Sequence, residues 1–203
     1  MTKATALFCD IGGVLLTNAW GKESRRKAAE VYHLDWSEFE ALHEPLMPML
    51  EEGRISLDDY LDRTVFHSSR AFSKEEFRRF IFSQSQPHPE SIEILLRLAQ
   101  SKRYLLACLN NESLELNLFR IERFGLRELF SVFLSSCFLG LRKPGEAIYR
   151  KALQVTQRAP AESVFIDDRE ENVEGARRCG MSAIHYRDAN QLRRELGAMG
   201  IEM

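Results

Sequence analysis

Four short segments of this 203-residue chain end, or follow, an apolar run in residues able to handle an anion or a divalent cation. The first, ALFCDIGGVLLT over residues 6–17, runs into Asp10 and then Gly12 and Gly13. LLACLNNES over 105–113 ends in Asn110 and Asn111, and GLRKPGEAIY over 140–149 presents Lys143 beside Pro144. SVFIDDREENVEGARRCGM over 163–181 ends in the pair Asp167–Asp168. Taken singly these are weak signals, because an Asp after a strand commonly serves as a cap or turn residue. Brought together on separate strand ends, they would place three carboxylates and one cation around a single crevice. Carboxylates that close raise one another's pKa unless a cation is bound. Oxygen-only ligation with few protein ligands suits Mg²⁺, which keeps waters and completes its octahedron with substrate phosphate.

That arrangement requires a parallel sheet, since open parallel sheets bind ligands at the carboxyl ends of their strands. Short apolar runs predict strands at Thr5–Cys9, Tyr104–Leu109, Val132–Ser135, Val164–Ile166 and Ala183–Tyr186. Helical periodicity over Glu90–Gln100 and Ser113–Phe124 alternates with them, which predicts right-handed crossovers and an α/β fold whose sheet is covered on both faces. The stretch Thr17–Pro87 breaks the alternation and reads as a helical insertion after the first strand. Helices are expected near Glu23–Tyr32, Ser37–Glu51, Leu57–Phe66 and Lys74–Phe82, with Ser37, Ser56 and Ser73 as N-caps and Gly53 separating the second from the third. Arg25, Arg26, Lys27, Arg78 and Arg79 read as solvated faces of these helices.

With 44% hydrophobic and 29% charged residues the chain falls in the ordinary globular range, large enough for one core and a small subdomain. Thirty acids against 28 bases leave a net charge of −2, without the basic footprint of a nucleic-acid or anionic-membrane binder. No apolar run approaches the roughly 18 residues of a membrane span, and no cleavable apolar leader follows Met1, so a cytoplasmic location is expected. Cys9, Cys108, Cys137 and Cys179 form no C-x-x-C pair and read as buried reduced thiols. No dinucleotide-binding or P-loop fingerprint is present, and the sequence leaves the oligomeric state open.

The four segments resemble the four motifs of the haloacid dehalogenase-like hydrolase superfamily, spread over residues 5–187. FCDIGGVL, EEGRIS at 51–56, GLRKP and FIDDREENVEGA are most similar to the bacterial group that includes alpha-D-glucose-1-phosphate phosphatase, and to the phosphatase-like domains fused to epoxide hydrolases and acyl-CoA dehydrogenases. The resemblance implies a Rossmann-like three-layer core over residues 1–16 and 88–203, with residues 17–87 as a mobile helical cap. It further implies a Mg²⁺-dependent phosphatase of small phosphorylated metabolites, sugar phosphates among them. Asp10 would be the nucleophile forming an aspartyl-phosphate, and also a metal ligand. Lys143 would offset the charge gathered on Asp10 and the phosphoryl oxygens, Asp168 would bind Mg²⁺, and Asp167 would support it or a ligated water. Gly12 would offer its backbone carbonyl to the metal and, with Asn110 and Asn111, would bind substrate.

Two positions depart from the family pattern. Asn110 stands where Ser or Thr usually holds a phosphoryl oxygen, and its amide can still donate a hydrogen bond. Gly12 stands where most phosphatases of the superfamily carry a second Asp that protonates the leaving oxygen, although the glucose-1-phosphate group also has Gly there. Loss of a general acid/base typically costs about 10²–10⁴ in rate. Leaving groups that need little protonation, such as anomeric hydroxyls, acyl phosphates and phenols, suit such a site. His43 or Glu44 could instead supply the proton, and Trp20, His43, Met47 and Phe66 are candidates for setting specificity. A catalytically impaired phospho-ligand binding protein of the same fold is the alternative reading. A dehalogenase fits less well, because it would gain nothing from Asp167–Asp168.

Overall fold

Along Ala6–Cys9 the side chains alternate between two apolar layers: Leu7 and Cys9 enter one cluster, Ala6 and Phe8 the other. This computed structural model describes residues 3–202. Strand β1 (Ala6–Cys9) lies at the centre of a five-stranded sheet with β2 (Leu105–Cys108), β3 (Val132–Phe133), β4 (Ser163–Asp167) and β5 (Ser182–His185). The order is β3-β2-β1-β4-β5, and every pairing is parallel. The protein has a Rossmann-like α/β fold, as expected from the alternation of strand and helix.

Three helices form one layer over the sheet, and two form the other. Before them, residues 17–88 carry α1 (Lys22–Val31), α2 (Trp36–Glu51), α3 (Leu57–Thr64) and α4 (Lys74–Ser83). α5 (Pro89–Ser101), α6 (Leu114–Arg123) and α10 (Ala189–Ala198) bury Leu95, Ile121 and Leu192 against the Leu7 face. α8 (Glu146–Thr156) and α9 (Glu170–Arg178) bury Tyr149 and Val173 against the Phe8 face, and the one-turn α7 (Ser136–Leu139) follows β3. α1–α4 enclose a third cluster of their own around Phe39, Tyr60, Leu61 and Phe77, which Leu116 of α6 joins. A stack of Phe82 on Phe119, with ring centroids 4.7 Å apart, extends that seam.

Ser56 and Ser73 cap α3 and α4, and Gly53 takes the left-handed conformation between α2 and α3. Two local expectations are corrected. The N-cap of α2 is Asp35, whose side chain accepts from Glu38 N, and not Ser37. Glu40, which completes a capping-box spacing with Ser37, is instead committed to Arg25 at 2.6 Å. That pair also corrects the reading of Arg25 as a solvated residue: it is buried between α1 and α2, with Nη1 donating to Trp20 O. Of the four free cysteines, Cys9 and Cys108 are buried while Cys137 and Cys179 are half-buried. No helix among the described residues is long and apolar enough to cross a membrane.

Candidate active site

The chain leaves β1 toward β2 and β3 on one side and returns to β4 and β5 on the other, so the strand order reverses between β1 and β4. Register pairs Cys9 with Ile166, which sets the next residues, Asp10 and Asp167, side by side at the carboxyl edge. Asp10 Oδ1 accepts from Ile11 N at 2.8 Å. Asp167 Oδ1 accepts from Arg169 N and Asn172 Nδ2, and Oδ2 also lies 3.1 Å from that Nδ2. Between the two acids stands Lys143, with Nζ 3.1 Å from Asp10 Oδ2 and 2.6 Å from Asp167 Oδ2. All three side chains are buried.

Asp168 completes the group: one oxygen each from Asp10, Asp167 and Asp168 lie within 4.8 Å of one another. Its Oδ2 accepts from Asn18 Nδ2 at 3.3 Å. Burial raises the pKa of Asp10 well above its ordinary value, with Asp167 and Asp168 pushing the same way and Lys143 opposing them. Burial and then Asp167 raise that of Asp168. For Lys143, burial alone would favour the neutral amine, but Asp10 and Asp167 outweigh it and hold the ammonium charged. Three carboxylates against one ammonium leave the cluster short of positive charge, and the donors are oxygens only. That set fits Mg²⁺.

The cluster opens into a crevice of about 1190 Å³ between the sheet edge and the helices of residues 17–88. α2 presents His43, Met47, Leu50 and Glu51 to it, at the i, i+4, i+7, i+8 spacing of one helix face. Of the other residues singled out as specificity candidates, Trp20 lines the crevice and Phe66 packs with the third cluster instead. His43 Nδ1 lies 2.8 Å from Tyr60 Oη, which also accepts from Trp20 Nε1. Burial, with Arg25 adding to it, lowers the His43 pKa to about 4, so the ring is neutral near pH 7. Glu44 is exposed and does not reach the crevice.

Of the two asparagines, Asn110 lies elsewhere than expected. Asn110 is buried behind the strand end, donating through Nδ2 to Asn117 Oδ1 at 3.0 Å and accepting from Cys108 Sγ, and it is absent from the crevice wall. Asn111 does line the crevice, but both ends of its carboxamide are bonded to the Lys143 backbone. Asn110 is therefore withdrawn from substrate, while Asn111 fixes the loop that carries Lys143 and keeps one N–H toward the crevice it lines. Gly12 lies buried on the wall of the crevice, as does the half-buried Gly13, whose φ of +73° brings its α-carbon against the Asp168 carboxylate.

The roles of further residues emerge only in three dimensions. Asn172 orients Asp167 from the first turn of α9. Arg120, wholly buried, donates through Nε to Ser85 Oγ, through Nη1 to Glu112 Oε2 and through Nη2 to Thr17 O. It thereby fastens both crossovers into the helical insertion, which are themselves joined by Thr17 N to Gln86 O at 2.8 Å. Across the mouth, Arg142 Nε meets Glu51 Oε2 at 2.6 Å and ties α2 to the Lys143 loop.

Comparison with known proteins places this geometry among relatives. Residues 4–180 match the family model of the haloacid dehalogenase-like hydrolases. Flavin mononucleotide hydrolase 1 of Arabidopsis thaliana is 25% identical over 164 residues, covering 81% of this chain and 66% of that protein. Sesquiterpene phosphatase astK of Aspergillus oryzae is 36% identical over 62 residues, 30% of this chain and 32% of its own length. The chain thus spans about two thirds or less of these relatives. A HAD family enzyme from Bacteroides thetaiotaomicron, solved in complex with magnesium and inorganic phosphate, superposes with a TM-score of 0.77 at 19% identity, covering 91% of this chain and 94% of that one. A HAD-like hydrolase from Porphyromonas gingivalis gives 0.79 at 20% identity with complete coverage of both.

Proposed function

The chain belongs to the haloacid dehalogenase-like hydrolases, and from that premise we propose that it is a Mg²⁺-dependent phosphatase of small phosphorylated metabolites, working through an aspartyl-phosphate on Asp10. The observation that carries this is the junction of Asp10 and Asp167 through one buried Lys143, with Asp168 completing the three-carboxylate cluster. Similar proteins that hydrolyse flavin mononucleotide or a sesquiterpene phosphate support the reaction class.

Asp10, Asp168 and the Gly12 carbonyl would hold the metal, with Asp167 supporting it. When bound, Mg²⁺ supplies positive charge to the phosphoryl oxygens. The remaining roles belong to this chain's own groups. One Asp10 oxygen attacks phosphorus as the ester oxygen departs, and water later releases the phosphoryl group, splitting the hydrolysis into two displacements. Lys143 sits where it offsets charge on both Asp10 and the transferring oxygens. Asn172 and Arg169 N hold Asp167 away from the attacking position. Residues 17–87 serve as the cap that excludes water over the 1190 Å³ crevice. Sugar 1-phosphates of the kind taken by the glucose-1-phosphate phosphatase group suit the site, since an anomeric oxygen leaves with little help. A cytoplasmic location matches substrates of this class.

The bare Gly12 favours a second reading, a phospho-ligand binding protein that turns over too slowly to matter. Hydrolysis of p-nitrophenyl phosphate with and without Mg²⁺ separates the two. The wild type should show Mg²⁺-dependent turnover that Asp10→Asn abolishes, and Mg²⁺ should raise its Tm. Asp168→Asn should lose most of the Mg²⁺-induced rise while the metal-free variant folds normally, relieved of like charge. A rise that persists unchanged in Asp168→Asn overturns the metal assignment.

A further inference from the structure

The space beside Gly12 is filled. A β-carbon built on residue 12 would lie 2.4 Å from Asn18 Oδ1 and 3.5 Å from its Cγ, with Arg120 Nη1 at 3.7 Å. The Asn18 carboxamide therefore already occupies the volume into which a side chain on residue 12 would project. From there its Nδ2 reaches Asp168 Oδ2 at 3.3 Å, so the group bridges the first and last strand ends of the site. The residue is fixed from behind: its carbonyl accepts from Gly21 N and from Ser24 Oγ at 3.1 Å, and Thr17 before it is fastened by Arg120. Three polar side chains of the crevice wall are committed elsewhere, His43 to Tyr60, Glu51 to Arg142, and Glu112 to Arg120.

We propose that the Asn18 carboxamide stands in for the side chain absent from Gly12, as a hydrogen-bonding and non-ionising partner of the oxygen that departs from phosphorus, and so confines the enzyme to phosphates of aryl, acyl or anomeric oxygen. The inference rests on the phosphatase reading and names the substrate class of that same site. A carboxamide nitrogen has two N–H donors, of which one is spent on Asp168. The second makes no hydrogen bond to another described residue and is left to a ligand in the crevice that Asn18 lines. As the Asp10 oxygen bonds to phosphorus and the ester P–O bond breaks, the leaving oxygen keeps the bonding electrons, accepts a hydrogen bond from Asn18 and takes its proton from water after release. An alkoxide is too basic to depart this way. Phenolates, carboxylates and hemiacetal oxygens bear the charge more easily.

The test uses an isosteric exchange that adds no atom to the crowded space, Asn18→Asp, together with Asn18→Ala. With Mg²⁺, Asn18→Asp introduces a proton donor, and the ratio of kcat/KM on glycerol phosphate to that on p-nitrophenyl phosphate should rise, by up to about 10²-fold. Asn18→Ala should lower kcat on p-nitrophenyl phosphate by about tenfold with KM little changed, the signature of a bond made as the oxygen leaves. A glycerol phosphate to p-nitrophenyl phosphate ratio equal to wild type in both variants overturns the proposal.

A second readout needs no turnover. Replacing the donor to Asp168 by a carboxylate adds like charge to the cluster, so metal-free Asn18→Asp should melt below wild type and metal-free Asn18→Ala closer to it, with Mg²⁺ closing the gap. An unchanged metal-free Tm in Asn18→Asp means the side chain does not stand at the cluster, and also overturns the proposal. If the wild type fails to hydrolyse p-nitrophenyl phosphate at all, the phosphatase reading falls by itself; the melting difference still decides the place of Asn18.

Discussion

Asn111 grips Lys143 by its backbone: Nδ2 donates to Lys143 O at 2.9 Å while Oδ1 accepts from Lys143 N at 3.0 Å. The ammonium between Asp10 and Asp167 is thus positioned by a loop from a different strand end. Asn111→Ala removes both bonds and leaves two backbone groups without partners, a cost of about 1–3 kcal/mol in stability. Freed from that grip, Lys143 should sample positions off the Asp10–Asp167 axis, and kcat should drop by about 10–100-fold with the KM for p-nitrophenyl phosphate changing less. Retention of full kcat in a destabilised Asn111→Ala would mean that Lys143 is held in place by its two acids alone.

The reach of sequence reasoning follows from what each signal depends on. The strands and their polar ends were legible because a buried parallel strand must be apolar until it leaves the sheet, so Asp10 and Asp167–Asp168 mark the exits of β1 and β4. The roles of single polar residues in loops were not, since nothing in their spacing says where a side chain turns. Asn110 and Asn111 are neighbours of the same type, yet one faces inward to Asn117 and the other outward to the Lys143 loop. Ser37 and Asp35 each precede a glutamate by three residues, and the choice between them was made by Arg25 on another helix, which took Glu40. Thr17 and Arg120 are 103 residues apart in the chain and meet only because the helical insertion returns to the sheet beside its point of departure.

His43 gives the helical insertion a pH dependence with a definite sign. Its buried ring has a pKa of about 4 against an ordinary 6.5, lowered by burial first and by Arg25 second, with Glu40 opposing. Between these values the unfolded chain takes up a proton that the folded chain refuses, so the stabilisation is complete above pH 6.5 and is lost as pH falls toward 4. The linked free energy is at most about 3 kcal/mol. His43→Gln cannot titrate, so its Tm should fall less steeply than that of the wild type between pH 6.5 and 4, with the two curves parallel above that range. Parallel curves throughout would show that the ring protonates as readily in the folded protein as in the unfolded one.

Arg120 and Glu112 form a pair whose members are worth little apart. Nη1 meets Oε2 at 2.9 Å with both side chains withdrawn from solvent, and burial raises the Glu112 pKa against the pull of Arg120. Removing one partner of a buried pair strands the other charge, whereas removing both is often close to neutral. Arg120→Met should therefore cost about 3–5 kcal/mol, because it abandons the Glu112 carboxylate and also releases Thr17 O and Ser85 Oγ at the two crossovers. Glu112→Gln keeps an acceptor for Nη1 and should cost less. The double variant Arg120→Met, Glu112→Gln should be more stable than the sum of the single losses predicts, by at least about 1 kcal/mol in urea melts. Strict additivity would show that Arg120 acts through the crossovers only. In that case its loss should raise KM for p-nitrophenyl phosphate by loosening the helical insertion, with no dependence on the residue at position 112.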